Sequence, residues 1–280
     1  MSYVLTPASI ILYAQHLREE ERSETTIQKY VTNLQRFYRF LPPGKEVTKD
    51  DALRFKAELS GEYAASTVNG AVAALNGFFH FSGWPLELKP VKCQKRIFAD
   101  QERELSLDEY LRLLTTAKQN GNQRLYLILQ AICSTGIRVS ELPFITVNAV
   151  RTGRAEVNCK GKRRTIFIPH DLCAALEDYA AQADVRSGPV FVTRGGQPVD
   201  RSRIWADMKR LCKKADVDPG KVFPHNLRHL FARRFYQTER DIAKLADLLG
   251  HTSIDTTRIY LMESGAQHER IINGLGLLQL

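Results

Sequence analysis

Between residues 85 and 104 the chain loses its helical periodicity, and Pro85 and Pro90 alternate with Lys89, Lys92, Lys95 and Arg96. Two prolines among crowded cations neither continue a helix nor sit in a central strand, so this stretch divides the chain. A length of 280 residues exceeds the usual reach of one hydrophobic core. Two folded units are therefore expected, residues 1–88 and 105–280, with a basic connector at 89–104.

The first unit reads as helices throughout. Thr6-Pro7 suits a cap and first turn for a helix to about Glu21. From Glu24 to Leu41 the apolar residues Ile27, Tyr30, Val31, Leu34, Phe37, Tyr38 and Leu41 recur at i, i+3, i+4 and i+7, and Pro42-Pro43 stops the run. Thr48 caps a third helix carrying Leu53, Phe55 and Leu59, which ends near Gly61. Ser66 precedes a fourth with Val68, Val72, Leu75, Phe78 and Phe79. Short links between such segments favour a small antiparallel helical domain.

The second unit mixes chemistries. Ser106-Leu107-Asp108-Glu109 is a capping-box pattern, and Arg124 to Cys133 is almost wholly apolar, as a buried helix would be. Pro143 to Pro169 switches to strand character. Ile145 and Val147 alternate, Arg151 to Arg154 forms a turn, and Ala155–Cys159 and Thr165–Ile168 read as strands around a turn at Lys160 to Arg164. Helices return at Leu172–Ala183, Arg201–Ala215, Leu227–Gln237 and Asp241–Leu249. The expected fold class is mainly α with one small antiparallel sheet.

Lys and Arg number 40 against 31 Asp and Glu, a net charge of +9 that favours polyanion partners. Residues 1–97 carry 13 against 10 and residues 98–280 carry 27 against 21, so the excess is shared. It concentrates at residues 151–164, with six basic side chains against Glu156, and at 194–214, with seven against Asp200 and Asp207. One such run suits a solvated face as well as a ligand; two flanking the same elements favour a phosphate backbone. The candidate DNA contacts are Lys92, Lys95, Arg96, Lys162, Arg163, Arg164, Arg201 and Arg203. The five cysteines, Cys93, Cys133, Cys159, Cys173 and Cys212, form no CxxC pair, which argues against a disulfide framework or zinc site and for a reducing compartment. Nothing near the N-terminus reads as a signal or membrane segment, so a cytoplasmic location is expected.

Four motifs carry polar groups suited to chemistry. Thr135-Gly136-Ile137-Arg138 follows the buried helix, and Arg138 stands three residues before Glu141, a natural ion-pair partner. Lys160 sits at the hairpin turn with Lys162 close by as a competitor. His225-Asn226-Leu227-Arg228-His229 opens a helix after Pro224, where the dipole favours an anion. In the fourth, Gly250 ends a helix, His251 follows, and Ser253 caps a short helix leading to Tyr260. At about 100° per residue, Tyr260 falls about 120° from the line of Ile254 and Leu261, an orientation that favours a role for its hydroxyl. His229, Tyr236 and Trp205 read as packing residues, and Glu141 as a group that orients its neighbours.

Arg138, Lys160, His225-x-x-Arg228, His251 and Tyr260, in that order with nine residues from His251 to Tyr260, resemble the signature of the tyrosine recombinase (phage integrase) family. The short stretch before the first helix resembles its Xer-like members, which lack an arm-binding domain. The resemblance implies a helical core DNA-binding domain and an α+β catalytic domain closing as a clamp around DNA. It also implies a recombinase that joins a 3′-phosphate to Tyr260, needs neither ATP, metal nor other cofactor, and acts as a homotetramer on two sites. In that scheme Arg138 and Arg228 bind the non-bridging oxygens, which paired guanidinium donors do better than an ammonium. His225 serves as acid/base, His251 contacts the phosphate, and Lys160 protonates the leaving 5′-hydroxyl. No P-loop or acidic metal cluster appears in the sequence, in keeping with such chemistry.

The tail from Glu269 to Leu280 is rich in Ile and Leu; it suits fastening to its own domain or, by the resemblance, docking into a neighbouring protomer. A non-catalytic DNA-binding regulator and a type IB-like topoisomerase are the competing readings, and the complete polar set argues against the first.

Overall fold

Reciprocal side-chain caps set some of the helix starts. In the computed structural model, which describes residues 3–92, 103–159, 162–251, 253–261 and 272–275, Thr6 and Ser9 cap each other's backbone at the start of helix α1 (Pro7–Glu19). Helices α2 (Glu24–Phe40), α3 (Lys49–Glu62) and α4 (Ala65–Phe81) follow. Ser66 lies inside α4, one residue past its start. The two-residue strands β1 (Tyr3–Val4) and β2 (Glu46–Val47) pair antiparallel, too short to leave a mark in the sequence pattern. Helix α4 buries Val68, Ala71, Val72, Ala74, Leu75, Phe78 and Phe79, and Phe37 from α2 and Phe55 from α3 complete an aromatic core.

The chain divides into two compact units, Met1–Lys95 and Arg96–Leu280. In the second, Ser106 and Glu109 form the capping box of α5 (Leu107–Gln119). Helix α6 (Gln123–Thr135) is central, burying Leu125, Leu127, Ile128, Leu129, Ala131 and Ile132. A 3-10 turn over Val139–Phe144 leads to α7 (Val147–Thr152). Here the expected strand through Ile145 and Val147 is corrected. Thr146 caps a helical turn by accepting from the Ala149 amide at 3.1 Å, and Val147 and Val150 bury one face of it. Two alternating apolar residues fit that turn as well as a strand. What survives of the strand is one bridge, Thr146 to Pro189.

Strands β3 (Arg154–Cys159) and β4 (Lys162–Phe167) form an antiparallel hairpin in register from Arg154↔Phe167 to Cys159↔Lys162. Residues 163 and 164, expected in a turn, therefore belong to a strand. Helices α8 (His170–Gln182), α9 (Arg201–Ala215), α10 (Pro224–Glu239), α11 (Ile242–Leu249) and α12 (Ile254–Arg258) follow, and a 3-10 turn, Ile259–Leu261, comes after α12. The fold is mainly α with small antiparallel sheets. No helix among the described residues is long and apolar enough to cross a membrane. Lys95, Arg96, Lys160 and most of the apolar tail lie outside the described residues; of the tail, Ile272 and Leu275 are exposed.

Candidate active site

Pro224 starts α10 at its first turn, a position where its missing N–H costs nothing. His225, Arg228 and His229 follow at i, i+3 and i+4 and so share one helix face. Arg228 is 1% exposed, the most deeply buried charge described. Its guanidinium donates to the Gly136 carbonyl, to the Leu249 carbonyl at 2.7 Å and to His251 Nε2 at 3.0 Å, while its Nε has no partner. Gly136 ends α6 at φ 64°, and a Cβ there would strike the Phe231 ring. Burial, then Arg138, draws the Arg228 pKa down to about 10, with nearby Tyr260 opposing; the group remains a cation at neutral pH. Among the described residues no carboxylate pairs with it. A buried cation held by carbonyls and a neutral ring is a place for an anion.

Helix α11 ends at Gly250, φ 64°, and Ser253 caps α12 by accepting from the Asp255 amide. Between them stands His251. Since Arg228 can only donate, His251 Nε2 accepts, and its Nδ1–H donates to Thr257 Oγ1 at 2.9 Å. Burial, then Arg228, Arg138, Arg164 and His225, lowers the His251 pKa to about 4. Burial, His225 and Arg228 bring His229 to about 4 as well. His225 keeps an exposed edge, yet loss of water around the rest of its ring, then Arg228 and Arg138, also lowers its pKa.

Tyr260 meets all three imidazoles, with ring centroids 4.2 Å from His229, 5.4 Å from His225 and 5.4 Å from His251. It is 5% exposed, whereas Ile254 is 48% and Ile259 56% exposed. The apolar line drawn through Ile254 and Leu261 is thus not the buried face; Thr257 and Tyr260 are. Thr257 bonds His251, and Tyr260 lies between the imidazoles and the apolar Ala232, Leu245 and Leu249, with Leu261 packed alongside; a hydrophobic pattern does not register the polar half of that contact. His229 lies inside the cluster, Tyr236 is half-buried beside it, and Trp205 departs from expectation, half exposed under Lys209.

Arg138 precedes the Val139–Phe144 turn. Buried Glu141 accepts from its backbone N–H at 2.9 Å and its Nη1 at 2.9 Å, and from Arg164 Nη2 at 2.5 Å. Burial pushes the Glu141 carboxyl up, but the Arg138 amide and the Arg164 charge outweigh it, and the pKa falls below the ordinary value. The Arg138 side chain stays 41% exposed.

Lys92, Arg163, Arg201 and Arg203 are exposed, as a backbone contact requires. Arg164 is corrected. Opposite Val157 in the register, it points to the buried side of the hairpin, 11% exposed, and donates to the Leu248 carbonyl as well as Glu141. The side chain of Lys162 lies outside the described residues. Arg124, which the charge pattern does not mark, and Arg194, which belongs to the basic run at 194–214, join Arg203, Thr193 and Gly195 around a pocket of about 610 Å³. A lone cation opening an apolar helix was the available sign for Arg124. Among the described residues no cluster of His, Cys, Asp or Glu is suited to a metal ion. Cys133, Cys173 and Cys212 are free thiols.

Arg228, three imidazoles and the Tyr260 ring thus gather in one cluster. The phage integrase family model matches residues 103–266, and that of the phage integrase N-terminal SAM-like domain matches residues 10–84. Tyrosine recombinase XerA of Pyrococcus furiosus is 30% identical over 276 residues, covering 95% of this chain and 93% of that one. Tyrosine recombinase XerC of Roseiflexus castenholzii is 32% identical over 273 residues, 89% and 86% of the two chains. In fold the chain is similar to XerH site-specific recombinase bound to its palindromic difH substrate (TM-score 0.74, 17% identity, 97% and 89% covered). It is also similar to a lambda integrase tetramer bound to a Holliday junction (TM-score 0.73, 18% identity, 90% and 76% covered). The chain belongs to the phage integrase family and is a tyrosine-type site-specific recombinase of the short Xer-like kind.

Proposed function

We propose that Tyr260 attacks a DNA phosphodiester held by Arg138 and Arg228, forming a 3′-phosphotyrosyl bond and releasing the 5′-hydroxyl. The enclosure of Tyr260 by three imidazoles beside buried Arg228, which no carboxylate among the described residues pairs with, carries this reading. The tyrosine proton passes to His225, whose lowered pKa leaves it neutral and able to accept at neutral pH. Lys160 supplies a proton to the departing 5′-oxygen. Arg228 turns from His251 Nε2 toward the phosphate; the His251 ring then takes the Nε2–H tautomer, its Nδ1 accepting from the Thr257 hydroxyl, and donates to the same oxygens. The P–O bond energy stays in the tyrosyl ester, so the reverse attack by a 5′-hydroxyl rejoins a strand without ATP or an added metal.

The working form is a homotetramer on two duplex sites in the cytoplasm, with the tail after Tyr260 linking protomers. The separate units are a DNA-binding domain at residues 1–88 and a catalytic domain at 105–280 joined by the 89–104 connector. Arg163 and Arg201, together with Arg203, Arg124 and Arg194 around one pocket, contact the backbone away from the cleavage point.

The test uses a pool of nicked duplexes with a randomised core. Covalent adducts are recovered under denaturing conditions and the bound DNA is sequenced. Wild type yields an adduct at Tyr260; Tyr260→Phe yields none while still binding the recovered duplex. An adduct that persists in Tyr260→Phe refutes the assignment of the nucleophile.

A further inference from the structure

Arg164 sits where three segments of the site meet. It leaves the buried side of β4, donates to Glu141 beside Arg138, and donates to the Leu248 carbonyl at the end of α11, 2.5 Å in each case. Its Cδ lies 2.5 Å from where a Cβ on Gly250 would stand, so Gly250 is required for this approach as well as for its positive φ. Arg164 is more buried than Arg138, 11% against 41% exposed, and closer to Glu141.

Glu141 paired with Arg138 alone would form a one-to-one ion pair and compete with an incoming phosphate for that guanidinium. With Arg164 already on the carboxylate, Glu141 fixes the orientation of Arg138 but leaves its charge uncompensated. Arg138, Arg164 and Arg228 then stand against one carboxylate, an imbalance that favours a phosphate.

We propose that Arg164 is a positioning residue: it neutralises Glu141 so that Arg138 stays available to the scissile phosphate, and it ties the β3–β4 hairpin to the Leu248–Gly250 turn. This rests on Arg138 holding the phosphate, as set out above. Arg164 itself touches no DNA.

The experiment measures single-turnover cleavage and binding of the duplex recovered in the adduct screen, with thermal melting as a control for folding. Arg164→Met is expected to lower the rate at saturating DNA roughly 100-fold and to leave the half-saturating DNA concentration within about threefold. Adding Glu141→Gln to Arg164→Met removes the competing carboxylate charge and restores roughly tenfold; the same addition to Arg164→Lys, where the cation persists, restores nothing. Should the Met variant not fold, Arg164→Lys carries the test, with a roughly tenfold slower rate and unchanged binding. A loss confined to binding, or a double variant no faster than Arg164→Met, overturns the proposal. Failure of the wild type to form a Tyr260 adduct instead overturns the reading of the site on which it rests.

Discussion

Two buried carboxylates, one in each unit, are built from the same local motif and end in different trades. Asp51 and Glu141 both stand three residues after a cap, accept the cap residue's backbone N–H, and pair with an arginine three residues away. At α3, Asp51 is also gripped by Thr48 Oγ1, and its partner Arg54 is 60% exposed. Nothing beyond that helix turn is engaged by these bonds. Glu141 adds Arg164, 23 residues on, and through it the end of α11. A capping carboxylate stabilises a helix start; a capping carboxylate with a second, distant cation also sets the charge available to a ligand.

The widest separation is expected between Glu141→Ala and Asp51→Ala. Glu141→Ala frees both arginines from their shared anchor, and Tyr260 adduct formation should fall roughly 100-fold with DNA affinity little changed. Asp51→Ala should cost about 1–2 kcal/mol of stability, the usual loss for a cap, and leave cleavage by the folded protein within about twofold, since cap loss acts on stability alone. Urea titration and single-turnover cleavage check both. Slow cleavage in a well-folded Asp51→Ala protein would erase the distinction.

A pair of glycines sharpens it. Gly250 and Gly153 both end helices with positive φ, 64° and 69°. A Cβ at Gly153 would meet nothing nearer than the Ile168 carbonyl at 3.9 Å, whereas at Gly250 it would meet Arg164. Alanine at either site brings the same backbone strain, roughly 1 kcal/mol. Cleavage should fall roughly tenfold further in Gly250→Ala, the scale of a displaced positioning contact, and the difference between the two variants isolates Arg164. Equal losses would mean that strain alone is at work.

The local half of these sites is legible in the sequence. The caps at Thr48 and Ser253, the glycine after Leu249, and the i, i+3, i+4 spacing of His225, Arg228 and His229 are all written within a few residues. What the pattern hides is long-range. Arg164 lies in a run of basic residues that reads as a turn, and only the hairpin register with Val157 turns it inward. Arg124 and Arg194, far apart in sequence, converge only in the fold. Tyr260 is buried against imidazoles, and the search for an aliphatic stripe placed the inner face on Ile254 instead.

The smallest expected effect is the order in which the two units respond to acid. His229 and His251 titrate near the usual 6.5 in the unfolded chain but only near pH 4 when folded. Between those values the unfolded state binds more protons, so stability around α10 to α12 falls as pH drops from about 6.5 toward 4. Asp51 is the opposite charge type with a lower window. Its pKa is lowered from 3.8, chiefly by the Thr48 hydroxyl and amide and by Arg54 against the burial that raises it. Its contribution is present above 3.8 and is lost only as pH falls through its lower folded value. Hydrogen exchange corrected for intrinsic rates should therefore show α10 and α12 losing protection at a higher pH than α3. His229→Phe removes one of the two titrating rings and should move that loss to lower pH, while Asp51→Asn leaves it in place. Simultaneous loss in both units, unaffected by His229→Phe, would show that the histidines around Tyr260 are not what makes the site acid-sensitive.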